Sequence, residues 1–239
     1  MFLGPDQEPW PRGWTPATII KTLEPLLLPE RRDRLAAVAA ERLESVAVLL
    51  DRPYDPHNVA AVMRSCDAFG LHTLHVVPGA ETPQPSPKVS QGTERWVHGV
   101  RHHSAEAAVL WLKRRGYALV ATHPEGELVP EQLEALPRPA LLMGNEHEGL
   151  CPTLESAATH RVRIPMRGFV SSLNLSVASA LLLRSATKGR PGDLSSEQRD
   201  RVYARGLYRS VSHAAEILAA SEHHHSKHGA AIAEGHPGR

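Results

Sequence analysis

Short apolar runs alternate with longer helical stretches through most of this chain, and this alternation is the feature that most constrains its fold. Short apolar runs are typical of buried strands, and the alanine-rich or amphipathic stretches between them are typical of helices. This order predicts an α/β domain with a mainly parallel sheet and helices on both faces. The predicted strands lie at 45–50, 73–77, 117–122, 139–144 and 160–165, and the predicted helices at 29–44, 57–70, 104–116, 172–188 and 195–220.

The alternating pattern occupies residues 45–190, a length that one domain can fill. Residues 1–44 are expected to form an N-terminal extension, in which a loosely ordered Pro- and Trp-rich arm at 1–28 precedes a helix. Residues 191–239 are expected to form a C-terminal extension, with one more helix and a disordered His-rich tail. The sequence therefore predicts one central domain with helical extensions at both ends.

Several protein classes are disfavoured by what the sequence lacks. No apolar run approaches the roughly 20 residues that cross a bilayer, and the first residues do not resemble a secretory signal. The first strand is not followed by GxGxxG, and there is no P-loop, which disfavours dinucleotide and NTP binding. The two cysteines, Cys66 and Cys151, do not suggest a disulfide framework. We expect a cytoplasmic protein that makes no use of a membrane.

The charge of the chain is uneven although its net charge is only +1. Ten Lys and Arg residues lie between Arg161 and Arg209, against three acidic residues in the same window. Such a local excess can attract phosphate groups, and it is also compatible with an ordinary solvated helix face. Charge alone leaves both interpretations open.

The first candidate motif runs from Asp55 to Gly70, with Asn58 near the start of a predicted helix. Asn58 could cap free backbone N–H groups or take part in a site. Arg64 points away from the apolar face at 100° per residue, so it could be an ordinary exposed arginine or a group that holds phosphate or ribose. The apolar face consists of Val59, Val62, Cys66 and Phe69.

The second candidate motif, PALLMGNEHEGL, runs an apolar strand directly into Gly144, a polar cluster and Gly149. Glycines at a strand end allow the backbone to approach a ligand closely. Glu146 and Glu148 could bind a hydroxyl or amine there, although the segment could also be an ordinary strand-to-helix turn.

The third candidate motif, IPMRGFVSSLNLSVASALLL, leads into a strongly apolar helix. Ser171 and Ser172 could cap this helix, whereas Ser172, Leu173 and Asn174 together have the composition of a ligand loop. In parallel sheets ligands bind at the carboxyl ends of strands. The loops that this rule selects follow Val77, Thr122, Gly144 and Pro165.

Together, the three segments resemble the signature motifs of the SpoU (TrmH-like) family in the SPOUT superfamily of RNA 2′-O-ribose methyltransferases. The similarity runs from about residue 30 to about residue 190 and preserves the order and spacing of the motifs. The helix followed by DPHN is most similar to the branch that methylates guanosine 18 in the D-loop of tRNA.

The resemblance implies a deep trefoil knot between about Leu141 and Lys188, and a homodimer with sites near the subunit interface. It also implies that S-adenosyl-L-methionine (SAM) binds in a bent shape and that no metal is needed. Arg64 is implied to orient the ribose and stabilise the forming alkoxide, and whether it also acts as a base is left open. Asn58 is implied to position Arg64 or the substrate. The other implied catalytic residues are Glu146, Ser172 and Asn174, and the implied SAM-binding residues are Thr122, Gly144, Ile164, Ser172, Leu173 and Asn174.

Some positions depart from the tRNA branch. Tyr54 and Asp55 stand where a basic pair is more usual, and Ser171 stands where glutamine is common. His147 and Glu148 stand where a lysine is common. Because basic residues near a site support phosphate contacts, these changes leave open another tRNA or rRNA target.

Two other functions remain as alternatives. The first is a SpoU-like module that binds RNA without transferring methyl groups. The second is a metal site in the tail, since His-rich segments can hold Zn²⁺ or Ni²⁺, although the tail offers no rigid frame. The histidines concerned are His223, His224, His225, His228 and His236.

Overall fold

The structure is a computed structural model that describes residues 2–79 and 92–221. The chain divides into two compact units. The first comprises Met1–Gln7 and Ala40–Leu194, and the second comprises Glu8–Ala39 and Ser195–Arg239.

In the described part of the first unit, six parallel strands form one sheet in the order β3-β2-β1-β5-β4-β6. Since β1 pairs with both β2 and β5, the strand order reverses beside it, which is the type of position where open α/β sheets bind ligands. The strands are β1 (Ala47–Asp51), β2 (Thr73–Val77), β3 (His98–Arg101), β4 (Ala118–Thr122), β5 (Pro139–Met143) and β6 (His160–Val162).

Helices cover both faces of this sheet, and the alternation of side chains along β1 explains why. Val48 and Leu50 lie in the core beneath α3 (Pro56–Ala68) and α6 (Leu175–Ala186). Ala47 and Leu49 lie in the opposite core, with α4 (Ala105–Arg114) and α5 (Pro152–Ala157). Successive strand residues face opposite sides, so a strand covered on both sides is apolar throughout. The predicted α/β fold with a parallel sheet is confirmed.

The sequence analysis missed β3, whose four residues include Gly99 and a histidine and an arginine at its ends. Its extended form depends on partners rather than on composition. It pairs with β2, and Leu3 forms a bridge to Val100 on its other side. The ring of Phe2 lies over Gly99, where a β-carbon would come 2.3 Å from the ring, so residues 2 and 3 belong to the packing of this unit.

In the second unit, the described helices are α1 (Pro16–Leu23), α2 (Pro29–Ala40) and α7 (Ser196–Ser210). The expectation of a loosely ordered arm at 1–28 was wrong for α1. Thr15 and Thr18 form a reciprocal capping box, and Ile19 and Leu23 are fully buried in a core that also contains Leu207. A short helix rich in β-branched residues has weak intrinsic helix propensity, so the burial of Ile19 and Leu23 supplies the stability that the local sequence does not.

The predicted last helix at 195–220 is interrupted. α7 ends at Ser210, His213 has a positive φ of 59°, and residues 214–221 are helical again. Within residues 2–79 and 92–221, no helix combines the length and the apolar character that crossing a bilayer requires.

Candidate active site

A cavity of about 450 Å³ lies at the carboxyl ends of β4, β5 and β6, beside the start of α6. Three separate stretches of chain line it, within 122–124, 143–150 and 162–182. All the residues predicted to hold the cofactor contribute to this lining, and Glu146 joins them. They are Thr122, Gly144, Ile164, Ser172, Leu173 and Asn174.

Gly144 is required by close backbone packing in the cavity wall. A β-carbon at this position would lie 2.3 Å from the carbonyl carbon of Gly149 and 2.4 Å from the nitrogen of Leu150. The loop is closed by two backbone hydrogen bonds of 3.1 Å between Asn145 and Gly149. Gly149 has a φ of 70°, a left-handed conformation that glycine adopts without strain. The two glycines therefore let the chain fold back on itself directly after β5.

Asn58, Glu146 and Asn174 form a hydrogen-bonded cluster that joins all three motifs. The Asn58 side chain donates from Nδ2 to Oε1 of Glu146 at 2.6 Å. Asn174 donates from Nδ2 to Oδ1 of Asn58 at 3.0 Å. Residues 58 and 174 are distant in sequence, so this contact fixes the first turn of α3 against the start of α6.

The helix-capping interpretations of Asn58, Ser171 and Ser172 were wrong. The N-cap of α3 is Asp55, whose carboxylate accepts from the backbone N–H of His57 at 2.8 Å. Asn58 is instead 7% exposed and uses its amide in the cluster. The N-cap of α6 is Asn174, whose Oδ1 accepts from the backbone N–H of Ser176, so α6 begins at residue 175 rather than 172.

The sequence analysis also missed a polar link at the end of β1. Asp51 is completely buried, and its carboxylate accepts from the backbone N–H of Cys151 at 2.6 Å and from Nε of Arg52 at 3.2 Å. Arg52 has a φ of 45° and donates from Nη1 to Glu148 at 2.6 Å. The hydrogen bond to Asp51 raises the pKa of Arg52, and burial raises the pKa of the Cys151 thiol.

This link ties the end of β1 to Glu148 and Cys151, two residues that follow Glu146 in the chain. A charged residue directly after a buried apolar run was the available signal, since a buried carboxylate needs partners. The partner positions, about 100 residues further along, could not be deduced from it.

Arg64 does not line the cavity of its own chain. It is exposed on α3, and within the described residues no hydrogen bond or ion pair engages its side chain. Asn58, on the same helix, is buried and faces the cavity-lining residues. The structure thus brings together every predicted site residue except Arg64.

Much of the basic excess between residues 161 and 209 is used inside each unit. In the first unit, Arg163 donates to the carbonyl of Gly126 and Lys188 pairs with Glu134. In the second unit, Arg205 makes two hydrogen bonds to Glu8. These side chains are structural rather than free for phosphate.

No group of three or more metal-ligating side chains occurs within the ranges that the structure describes. The histidines of the predicted tail site, from His223 onward, lie outside the described residues.

Comparison with known proteins identifies relatives of this chain. Residues 45–184 match the SpoU rRNA Methylase family. A tRNA (guanosine(18)-2′-O)-methyltransferase of Escherichia coli K12 is 34% identical over 163 residues, which cover 68% of this chain and 71% of the relative.

Solved structures agree with the sequence comparison. The A. aeolicus TrmH/SpoU tRNA modifying enzyme has a TM-score of 0.70 at 28% identity, covering 77% of this chain and 98% of that one. The SpoU methyltransferase AviRb from Streptomyces viridochromogenes, solved with AdoMet, has a TM-score of 0.55 at 31% identity, covering 62% of this chain and 58% of that one. Because the family match spans more than half of its length, this chain belongs to the SpoU rRNA methylase family.

Proposed function

We propose that this protein transfers a methyl group from SAM to a ribose 2′-hydroxyl of RNA, and that its target is guanosine 18 in the D-loop of tRNA. The observation that carries the proposal is the cluster of Asn58, Glu146 and Asn174, which joins the three family motifs at one cavity. The guanosine-18 target is supported by the name of the E. coli relative.

The cavity has the size and lining that SAM requires. Its volume of about 450 Å³ lies within the usual range for sites that enclose small ligands. Met143, Ile164 and Leu182 provide apolar wall for an adenine ring, and Ser172 and Asn174 provide polar groups. In this proposal Thr122, Gly144, Ile164, Ser172, Leu173 and Asn174 hold the cofactor. When bound, SAM supplies a methyl group made electrophilic by the sulfonium to which it is attached.

The acceptor is a ribose hydroxyl, which is a weak nucleophile until its proton is lost or its developing charge is stabilised. We assign that stabilisation to Arg64, because a guanidinium is a poor base but a strong hydrogen-bond donor. Asn58 and Asn174 hold the Glu146 carboxylate in place, and Ser172 completes the catalytic set at the cavity. Holding the two reactants in line is expected to supply much of the rate, by up to roughly 7–11 kcal/mol.

The position of Arg64 supports a homodimer. Because Arg64 lies outside the cavity of its own chain, a second copy is needed to bring an equivalent arginine to that cavity. Phe169 and Val170 beside the cavity, and Val177 and Leu181 one turn apart on α6, are exposed apolar side chains that a partner could cover. We therefore propose that each site combines the cavity of one subunit with Arg64 of the other.

The remaining features of the proposal concern domain organisation. Residues 45–190 form the SPOUT methyltransferase domain, with a deep trefoil knot between about Leu141 and Lys188, and the family match to residues 45–184 supports this extent. Residues 1–44 and 191–239 form extensions, and the enzyme acts in the cytoplasm on RNA without a metal.

Transfer of tritium from [methyl-³H]SAM to an unmodified tRNA transcript tests the function. We expect label in a transcript with guanosine at position 18 and none in a matched transcript with 2′-deoxyguanosine there, because only the first has the accepting oxygen. Equal labelling of both transcripts, or labelling of ribosomal RNA alone, would contradict the guanosine-18 target. SAM binding without labelling of any RNA would favour a binding module.

A further inference from the structure

Two exposed aromatic rings, those of Tyr54 and His147, contact each other at the edge of the candidate site. Tyr54 is 71% exposed, and its ring packs edge-to-face against His147, with ring centroids 5.5 Å apart and an interplanar angle of 78°. His147 directly follows Glu146, and Tyr54 precedes Asn58 by four residues. The two rings therefore belong to the two segments that the hydrogen bond between Asn58 and Glu146 joins.

The two segments that carry these rings are tied to each other. Arg52 donates to Glu148 at 2.6 Å, which links the residue after β1 to the residue after His147. Within the loop that carries His147, the Asn145 carboxamide oxygen accepts from the backbone N–H groups of His147 and Glu148, at 2.9 and 2.6 Å. Exposed aromatic rings that are already held in place can bind a flat partner with little loss of conformational entropy.

The charges around the rings do not favour phosphate. The guanidinium of Arg52 is engaged by the carboxylates of Asp51 and Glu148, and His57 is paired with Asp55 at 3.0 Å. Two carboxylates thus engage the one guanidinium, and a third carboxylate, that of Asp55, directly follows Tyr54, so a phosphate placed here would meet net repulsion. A nucleobase has no charge, and its faces and edges suit an aromatic surface.

We propose that Tyr54 and His147 form a stacking platform for one unpaired base of the RNA substrate, in which the base stacks on one ring and the other ring, set edge-to-face, holds that ring in place. This edge of the site would then select RNA through stacking rather than through phosphate contacts. The inference rests on the proposed function, since it needs an RNA substrate at this cavity. It adds two specificity-determining side chains to the residues already placed in the site.

Binding of a fluorescently labelled, unmodified tRNA transcript, measured over a range of salt concentrations, tests the platform. Tyr54→Ala and His147→Ala are expected to weaken RNA binding by roughly tenfold, because stacking on one aromatic side chain contributes about 1–3 kcal/mol per base. The slope of log K against log salt should stay as in the wild type, since no phosphate contact is lost. Affinity for SAM, measured by calorimetry, should also be unchanged.

Two variants serve as controls. Tyr54→Phe keeps the ring and should retain RNA affinity within about twofold of wild type. Leu110→Ala removes an exposed apolar side chain of α4 that does not line the cavity. It should change neither the affinity for RNA nor the affinity for SAM.

Three results would overturn the inference while leaving the proposed function intact. The first is wild-type RNA affinity in both alanine variants. The second is a change of about one in the salt slope, which would indicate a lost phosphate contact. The third is a parallel loss of SAM affinity, which would indicate that the rings only support the loop. If the wild-type protein neither binds nor methylates RNA, the proposed function fails and the platform fails with it.

Discussion

The cavity beside Gly144 and the outward face of α3 differ in whether the residues proposed for the reaction meet within one chain. The cavity is lined by residues of the second and third motifs and by residues 122–124, and Asn58 of the first motif bonds to this lining. Arg64 lies six residues after Asn58 on the same helix, which turns it about 120° away from Asn58, and it is exposed. In the function that we propose, one chain therefore supplies the cofactor site, whereas the acceptor side takes Arg64 from a second copy.

The largest effect is expected when the guanidinium of α3 is removed. Arg64→Ala should lower the rate of methyl transfer by about 10³-fold, because the charge developing on the ribose oxygen loses its stabilising partner. SAM affinity should stay within about threefold, since Arg64 does not line the cavity. Single-turnover transfer of labelled methyl groups and calorimetric SAM titration measure the two effects separately.

The matched control is Arg114→Ala, which removes an exposed arginine from α4. It should leave the rate near that of the wild type. An Arg64→Ala enzyme with full activity would show that the outward face of α3 takes no part in the reaction.

A smaller effect, confined to the cofactor side, is expected from Gly144→Ala. The added β-carbon would lie 2.3 Å from the carbonyl carbon of Gly149 in the same loop, so the loop must shift and the cavity wall must move with it. We expect SAM affinity to fall by at least about tenfold, corresponding to roughly 1.4 kcal/mol or more. Equilibrium SAM binding is the measurement, with circular dichroism to verify that the variant is folded.

Gly168→Ala is a control from a neighbouring segment, because a β-carbon there meets no atom within 4 Å. It should bind SAM as the wild type does. Unchanged SAM affinity in Gly144→Ala would mean that the wall of this cavity does not hold the cofactor.

The smallest effect is expected inside the polar cluster. Asn58→Ala and Asn174→Ala should each lower kcat/KM by about fivefold to tenfold, because Asn58→Ala removes both hydrogen bonds of the cluster that holds Glu146 and Asn174→Ala removes one of them. Since Asn58→Ala already breaks the hydrogen bond to Asn174, the double variant should lose less than the product of the two single effects. Strictly multiplicative losses would show that the two asparagines act independently, which would contradict a role for the cluster in the reaction.

The fold was largely predictable where local pattern and tertiary environment agree. The five predicted strands correspond to strands of the sheet because buried parallel strands are apolar throughout, as in β1 and β5. β3 and α1 escaped prediction because their structure depends on distant partners, namely Leu3 beside Val100 and Leu207 beside the helix that carries Ile19. No local pattern contains that information.

The candidate site was predictable to a similar degree. The carboxyl ends of parallel strands meet at one edge, so Thr122, Gly144 and Ile164 could be expected to converge. The pairing of Arg52 with Glu148, by contrast, depends on side-chain directions after β1 and β5. The exposure of Arg64 was predictable from helical period, but its relation to the cavity was not.

Mixing of two impaired variants, assayed at a SAM concentration too low to fill the Gly144→Ala cavity, tests most directly whether the site combines a cavity from one chain with Arg64 from another. Arg64→Ala retains an intact cavity, and Gly144→Ala retains Arg64, so a mixed dimer contains one complete site. After joint unfolding and refolding in equal amounts, we predict recovery of about a quarter of wild-type methyl transfer, because half of the dimers are mixed and each has one of two sites. Activity no higher than the mean of the two separate variants would contradict the account.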